Sequence, residues 1–299
     1  GLTFAFLGYG LWALVIMSVV SSLLGLIQTW LVVRWLPRAG WSKDSFKYLW
    51  GFGNKLIFSY IIDQIYQNIS PVFIGKYYSP DQLGQYNRAD GYANLPSRQV
   101  TGMIQSVTFP VLSQLIGDKE KLADKYRTMI KVSAFVITPI MLGLSALASP
   151  FVLILIGEKW APCIVFLQII CFTKSIYPIQ SLNVNLLMVS GRSDLYLRLE
   201  IIKKIFGVIM LCITLPISIL ALVWGYLMYA VLCLFLNLHY TNRIIDVSFF
   251  TQIRDVLPSW LLSLTMYLFV FGYTKIVSNL YAQLIGGIVI GVVVYLLGS

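Results

Sequence analysis

Three charged side chains lie inside stretches otherwise apolar enough for lipid: Asp63, Arg98 and Lys174. A charge near mid-membrane costs about 2.5–3.5 kcal/mol on insertion scales and normally faces a bundle interior or a wet cavity. Around Arg98, the residues Asn94, Thr101, Gln105 and Thr108 recur at three- and four-residue steps, and Val100, Met103, Ile104, Val107 and Val111 fall on the opposite side. That spacing predicts a helix with one polar face and one lipid face. Tyr177, Ser181 and Asn185 repeat the pattern behind Lys174. A guanidinium fork matches phosphate oxygens, so Arg98 is a candidate clamp for a phosphate or pyrophosphate, with Lys174 as a second cavity cation for the same anionic group. Amides and hydroxyls at Asn94, Gln105, Ser181 and Asn185 are candidate partners for a polar ligand. The competing readings are a snorkelling Arg98 at an interface and a buried ion pair for Lys174, with Asp63 as partner. Asp63 shares its face with Ser59, Gln67 and Ser70 and is a candidate carrier of a coupling proton or sodium ion. Arg88 and Asp90, in the sequence NRAD, are placed at the mouth of the same cavity.

Enzyme chemistry has little to stand on. There is one histidine, His239, at the end of an apolar run, and a metal site needs more than one such ligand. No Gly-rich phosphate loop, no GxSxG and no paired carboxylates at catalytic spacing occur. Cys163, Cys171, Cys212 and Cys233 all sit in apolar segments without a CxxC pair, which reads as packing. No metal, no cofactor and no catalytic residue is expected.

The elements that must hold these residues are membrane helices. The chain is 58% hydrophobic and only 11% charged, against roughly 25% charged in soluble domains. Its net charge of +10 lies in short loops between apolar runs, not in a basic aromatic-rich patch, which argues against nucleic acid. The expected fold is an all-α polytopic membrane bundle of about nine spans: 6–33, 56–75, 91–116, 130–147, 162–189, 205–220, 221–238, 257–277 and 280–297. Residues 42–50 read as a short surface helix, 75–90 as a polar loop with a Ser-Pro-Asp turn, and 148–160 as a re-entrant turn or an extension of the fourth span. Sixteen of the 22 Lys and Arg fall in loops 34–55, 118–131, 191–204 and 239–256, and four (Lys76, Arg88, Lys159 and Lys275) in the alternate loops. By the positive-inside rule the sixteen face the cytoplasm, as does the C-terminus. The chain opens at Gly1 within an apolar run and without a signal peptide, which reads as a fragment. The runs GVIM and GGIVIG read as small-residue packing surfaces.

The segments GYGLWALV (8–15), LGQYNRADGYANLP (83–96), FPVLSQL (109–115), GEKWAP (157–162) and NLLMVSGRSDLYLRLEIIKK (185–204) resemble bacterial polysaccharide flippases of the Wzx type. Within that type they most resemble the colanic-acid-like branch of the multidrug/oligosaccharidyl-lipid/polysaccharide exporter superfamily. The resemblance implies two six-helix lobes around a central cavity, followed by two extra helices. On that template residues 1–33 are the last helix of the first lobe, 34–55 a cytoplasmic amphipathic linker, 56–238 the second lobe and 239–299 the extra pair; the first five helices are absent. The implied activity is flipping of undecaprenyl-pyrophosphate-linked oligosaccharide repeats across the bacterial inner membrane, by alternating access, for lipopolysaccharide, capsule or exopolysaccharide biosynthesis. The expected partners are that lipid-linked oligosaccharide, membrane lipids and a coupling proton or sodium ion.

Two other readings compete. A cation-coupled multidrug exporter of the same superfamily would favour cavity carboxylates, and here Arg98 and Lys174 stand against Asp63 alone. A membrane glycosyltransferase or O-antigen ligase would need a catalytic acid or base and a large outer loop, and the outer loops are short.

Overall fold

The computed structural model describes residues 12–33 and 42–299, with the side chains at 13, 14, 52, 55, 59, 62, 63 and 65–71 outside the described set. The described residues are helical throughout and contain no strand. The long helices are α1 (Trp12–Val33), α2 (Lys43–Tyr77), α3 (Pro80–Gln114) and α4 (Lys119–Ala146). A short α5 (Ala148–Leu155) and a 3-10 turn at Glu158–Trp160 lead to α6 (Cys163–Val189), α7 (Ser193–Thr214), α8 (Ile219–Ile245), α9 (Phe249–Ile276) and α10 (Leu280–Gly298). Contacts divide the chain into two units, Gly1–Tyr48 and Leu49–Ser299. In the first, α1 carries no charge and its described side chains are largely exposed. The cavity and the helix packing described below lie in the second.

Local sequence explains where the helices start, and it corrects the expected loop at 75–90. Ser79 Oγ accepts from the Gln82 backbone amide, Gln82 Oε1 accepts from the Ser79 amide, and Pro80 sits at the first helical position. This is a capping box with an N-terminal proline, so α3 begins before NRAD. The Ser-Pro-Asp read as a turn is a helix start. Asp118, Ser218 and Ser248 cap α4, α8 and α9, each accepting through its side chain from one backbone amide of the first turn. Residues 42–50 are not a separate surface helix but the first turns of α2, which continues through Gly51 and Gly53; each glycine costs only about 1 kcal/mol in a helix. At its C-terminal end α6 is closed by Gly191, at φ +70°. Its amide donates to the Met188 carbonyl and that of Arg192 to the Leu187 carbonyl, a Schellman stop that needs a left-handed residue.

Helix directions follow from which residues pair. α3 and α6 run parallel, since Gln85 reaches Lys159, Ser97 reaches Lys174 and Gln105 reaches Ser181 in step. α4 runs parallel to α9 (Arg127 with Asp255, Thr138 with Ser263) and antiparallel to α6 (Tyr126 with Asn183, Ser145 with Gln168). One apolar core joins α3, α4, α6 and α8 around Ile137, Met141, Leu167 and Leu222. A second lies near the opposite end around Tyr126, Leu182 and Leu186. A third packs α9 and α10 on α4 through Leu142, Met266 and Tyr295.

Six of the described helices are long and apolar enough to cross a membrane: α1, α4, α6, α8, α9 and α10. The chain is therefore a multi-pass membrane protein. The other three long helices, α2, α3 and α7, are more polar than that measure allows. All three contribute to one cavity, α2 through Gln64.

Candidate functional site

A cavity of about 1180 Å³ opens between α2, α3, α6, α7 and α8. Along α3 its wall runs from Tyr86 to Phe109. At 1.5 Å per helical residue that is roughly 35 Å, of the order of the hydrocarbon thickness of a bilayer. Its charged lining consists of Asp90, Arg98, Lys174, Glu200, Lys203 and Lys204. Four cations against two carboxylates leave the described wall positive.

Both carboxylates are held by lysines. Lys174 Nζ lies 3.1 Å from Asp90 Oδ1, and the other Asp90 oxygen accepts from Asn94 Nδ2 one turn on. Lys203 Nζ donates to Glu200 Oε1 at 2.8 Å, and Lys204 Nζ lies 3.6 Å from Oε2. Arg98 is exposed in the cavity and makes no hydrogen bond or ion pair with any described residue. Its guanidinium is the cation left available to a ligand. Asn185 Nδ2, almost fully buried, has no acceptor among the described residues. Gln105 Nε2 donates to Ser181 Oγ at 2.7 Å, bridging α3 and α6 on the cavity face.

The sequence-predicted residues Asn94, Arg98, Gln105, Lys174, Ser181 and Asn185 thus meet in one cavity. Asp90 joins them as the partner of Lys174. The side chain of Asp63 lies outside the described residues. Arg88 points elsewhere, with its guanidinium 5.0 Å from the centre of the Trp160 ring. Thr101 and Thr108 leave the polar stripe and are buried against neighbouring helices; Thr101 Oγ1 bonds back to the Ser97 carbonyl at 2.7 Å. Ser97 Oγ donates to the Lys174 carbonyl at 3.1 Å, so Arg98 and Lys174 leave their helices at one level.

Glu200, Lys203 and Lys204 were missed because the stretch 191–204 reads as a loop. They lie within α7, and their i, i+3 and i+4 spacing was the available signal. Beside them, at the start of α7 and outside the apolar region, the Arg192 guanidinium holds the Asp194 carboxyl below the usual carboxylate range through a hydrogen bond.

The quoted sequence segments also meet in space. Gln85 Nε2 donates to the Lys159 carbonyl at 3.1 Å, and Arg88 stacks on Trp160. LGQYNRAD and GEKWAP therefore form one joint, fixing the start of α3 against the turn before α6. The joint sets the register in which Asp90 meets Lys174.

Known proteins are similar to this chain in sequence and in fold. Residues 1–165 match the family described as "Polysaccharide biosynthesis protein". The succinoglycan biosynthesis transport protein ExoT of Rhizobium meliloti (strain 1021) is 30% identical over 172 residues, 58% of this chain and 35% of that protein. The lipopolysaccharide biosynthesis protein WzxC of Escherichia coli (strain K12) is 28% identical over 152 residues, 51% of this chain and 31% of that protein. The chain spans about a third of the length of these two relatives. In fold it is similar to the lipid II flippase MurJ in an inward closed conformation, with a TM-score of 0.69 at 17% identity over 87% of this chain and 55% of that one.

Proposed function

The chain belongs to the polysaccharide biosynthesis protein family, and from that premise we propose that it forms the cavity-bearing lobe of a flippase for undecaprenyl-pyrophosphate-linked oligosaccharide repeats. The single observation that carries the reading is the net-positive cavity wall with an unpaired guanidinium at Arg98 beside unfilled or hydroxyl-paired amides at Asn185 and Gln105. A pyrophosphate requires cations, and a sugar chain requires amides and hydroxyls. Arg98 and Lys174 bind the headgroup, while Asn94, Gln105, Ser181 and Asn185 bind sugar. The family profile and the transport proteins among its relatives support a flippase over an enzyme.

In this reading residues 56–238 are one lobe, 239–299 an added helix pair, 34–55 a cytoplasmic linker and 1–33 a helix of the other lobe. Nine crossings of the bacterial inner membrane with a cytoplasmic C-terminus are supported by the loop charges and by the parallel pairing of α3 with α6 and of α4 with α9. Transport proceeds by alternating access of the two lobes. A coupling proton or sodium ion is assigned to Asp63. The drug-exporter reading asks for free carboxylates, whereas Asp90 and Glu200 on the described wall are both neutralised by lysine.

The test is complementation of a flippase-null strain with the gene that encodes this sequence. The expected result is restored surface polysaccharide and relief of cytoplasm-facing lipid-linked repeats. Normal expression with repeats still accumulating would overturn the assignment.

A further inference from the structure

A second charged recess, of about 650 Å³, lies between α4 and α9 and shares no wall residue with the cavity. Its cations are Arg127, Lys131 and Arg254. Arg127 Nε and Nη2 donate to Asp255 at 2.7 and 3.0 Å, and Lys131 Nζ stands 3.1 Å from the same carboxylate. One almost fully buried carboxylate thus holds two cations. Arg254 is exposed and has no ion pair or hydrogen bond among the described residues. The recess is therefore positive by two charges.

Its place along the helices is as telling as its charge. Up to Lys131, α4 is dense in Lys, Arg, Asp and Glu, and from Val132 to Ala146 it has no charged residue. α9 changes in the same way after Asp255, with no charged residue until Lys275. The recess lies where both helices turn apolar, which is where a bilayer boundary must fall. Val132 and Phe135 on its wall, and Leu257 next in sequence to Pro258 of the wall, are exposed, at 56%, 41% and 47%.

We infer that this recess binds the phosphate of an anionic phospholipid, with its acyl chains lying over Val132, Phe135 and Leu257. Arg254 and Lys131 take the phosphate oxygens, and Arg127 stays committed to Asp255. Basic pockets between membrane helices at the headgroup level suit such lipids. A soluble phosphate would gain nothing from the exposed apolar shelf. The bound phosphate would tie α9 to α4, and so the last two helices to the rest of the bundle. The inference stands apart from the transport reading, because the recess and the cavity are separate.

The test is native mass spectrometry of the whole protein, purified in mild detergent, with phosphatidylglycerol, cardiolipin and phosphatidylethanolamine offered at equal concentration. Anionic lipids should be retained over phosphatidylethanolamine. Lys131→Gln with Arg254→Gln should lower that retention roughly 30-fold, from the usual contribution of a cation beside an anionic headgroup. Lys131→Arg with Arg254→Lys should keep it. Excess inorganic phosphate should not displace the lipid. Equal retention of phosphatidylethanolamine, loss in the charge-keeping variant, or wild-type retention by the glutamine variant would each overturn the inference. Displacement by inorganic phosphate would make the recess a free-anion site and overturn the lipid assignment.

Discussion

Lys174 and Asp90 face each other across the α3–α6 interface at 3.1 Å, with each side chain about a quarter to a third exposed to the cavity. The pair joins two helices and also forms part of the proposed substrate wall. A swap separates the two roles. Lys174→Asp or Asp90→Lys alone should lower thermal stability and abolish export. The double swap restores the ion pair and should recover most of the stability. It moves the cation onto α3, so export should stay defective. A swap that restores export as fully as stability would reduce the pair to a structural link.

Arg98 has no such link among the described residues. Its removal leaves no partner stranded, so Arg98→Ala should change stability by about 0.5 kcal/mol or less. Export should fall at unchanged expression, with lipid-linked repeats accumulating. Arg98→Lys keeps the charge and loses the fork, and should retain part of the activity. Full export by Arg98→Ala would remove this residue from the site.

Deep in the bundle, Tyr126 donates to Asn183 and lies 3.0 Å from Gln252, and Thr241 donates to Asn183 at 2.8 Å. This network joins α4, α6, α8 and α9 and does not touch the cavity wall. Tyr126→Phe should cost about 0.5–2 kcal/mol, the range for hydrogen bonds between membrane helices. Export per folded molecule should be unchanged. Melting curves in detergent alongside export assays would check both halves.

The helix pair α9 and α10 depends on close approach. A Cβ built at Gly287 would stand 2.5 Å from Leu147 and 3.3 Å from Val270, whereas one at Gly272 meets nothing within 4 Å. Gly287→Ile should destabilise by about 1–3 kcal/mol through overpacking. Gly272→Ala should be neutral or slightly stabilising. Equal melting temperatures for the two variants would refute the packing role of the GGIVIG run.

Much of the cavity is legible in periodicity alone. Lys174, Tyr177, Ser181 and Asn185 share a face by spacing, and they share the cavity wall. Periodicity could not separate Thr101 and Thr108 from Asn94 and Gln105. A threonine hydroxyl can return its hydrogen bond to its own helix and be buried, as Thr101 does, whereas a long amide must find a partner or water. The start of α3 was ambiguous for a different reason. Ser-Pro-Asp suits a turn and a capped helix equally, and the deciding residue is Gln82, which closes the capping box. The pairing of Lys174 with Asp90 rests on tertiary register, set by the Gln85 and Trp160 joint, and no local pattern carries it. The segment 191–204 shows the limit of hydropathy: its charges mark a loop by composition, yet Lys203 and Lys204 both pair with Glu200 along a helix.

The polarity of α2, α3 and α7 bears on how the protein is made. A helix that cannot partition into lipid by its own composition must be retained at the translocon until a neighbour shields its polar face. For α3 that neighbour is α6, which follows it in synthesis after α4 and α5. Biogenesis is therefore expected to be out of step with synthesis, with α3 committed to the bilayer only once α6 has emerged. Glycosylation-tag reporters on chains truncated before and after α6 would show the delay as a change in α3 topology.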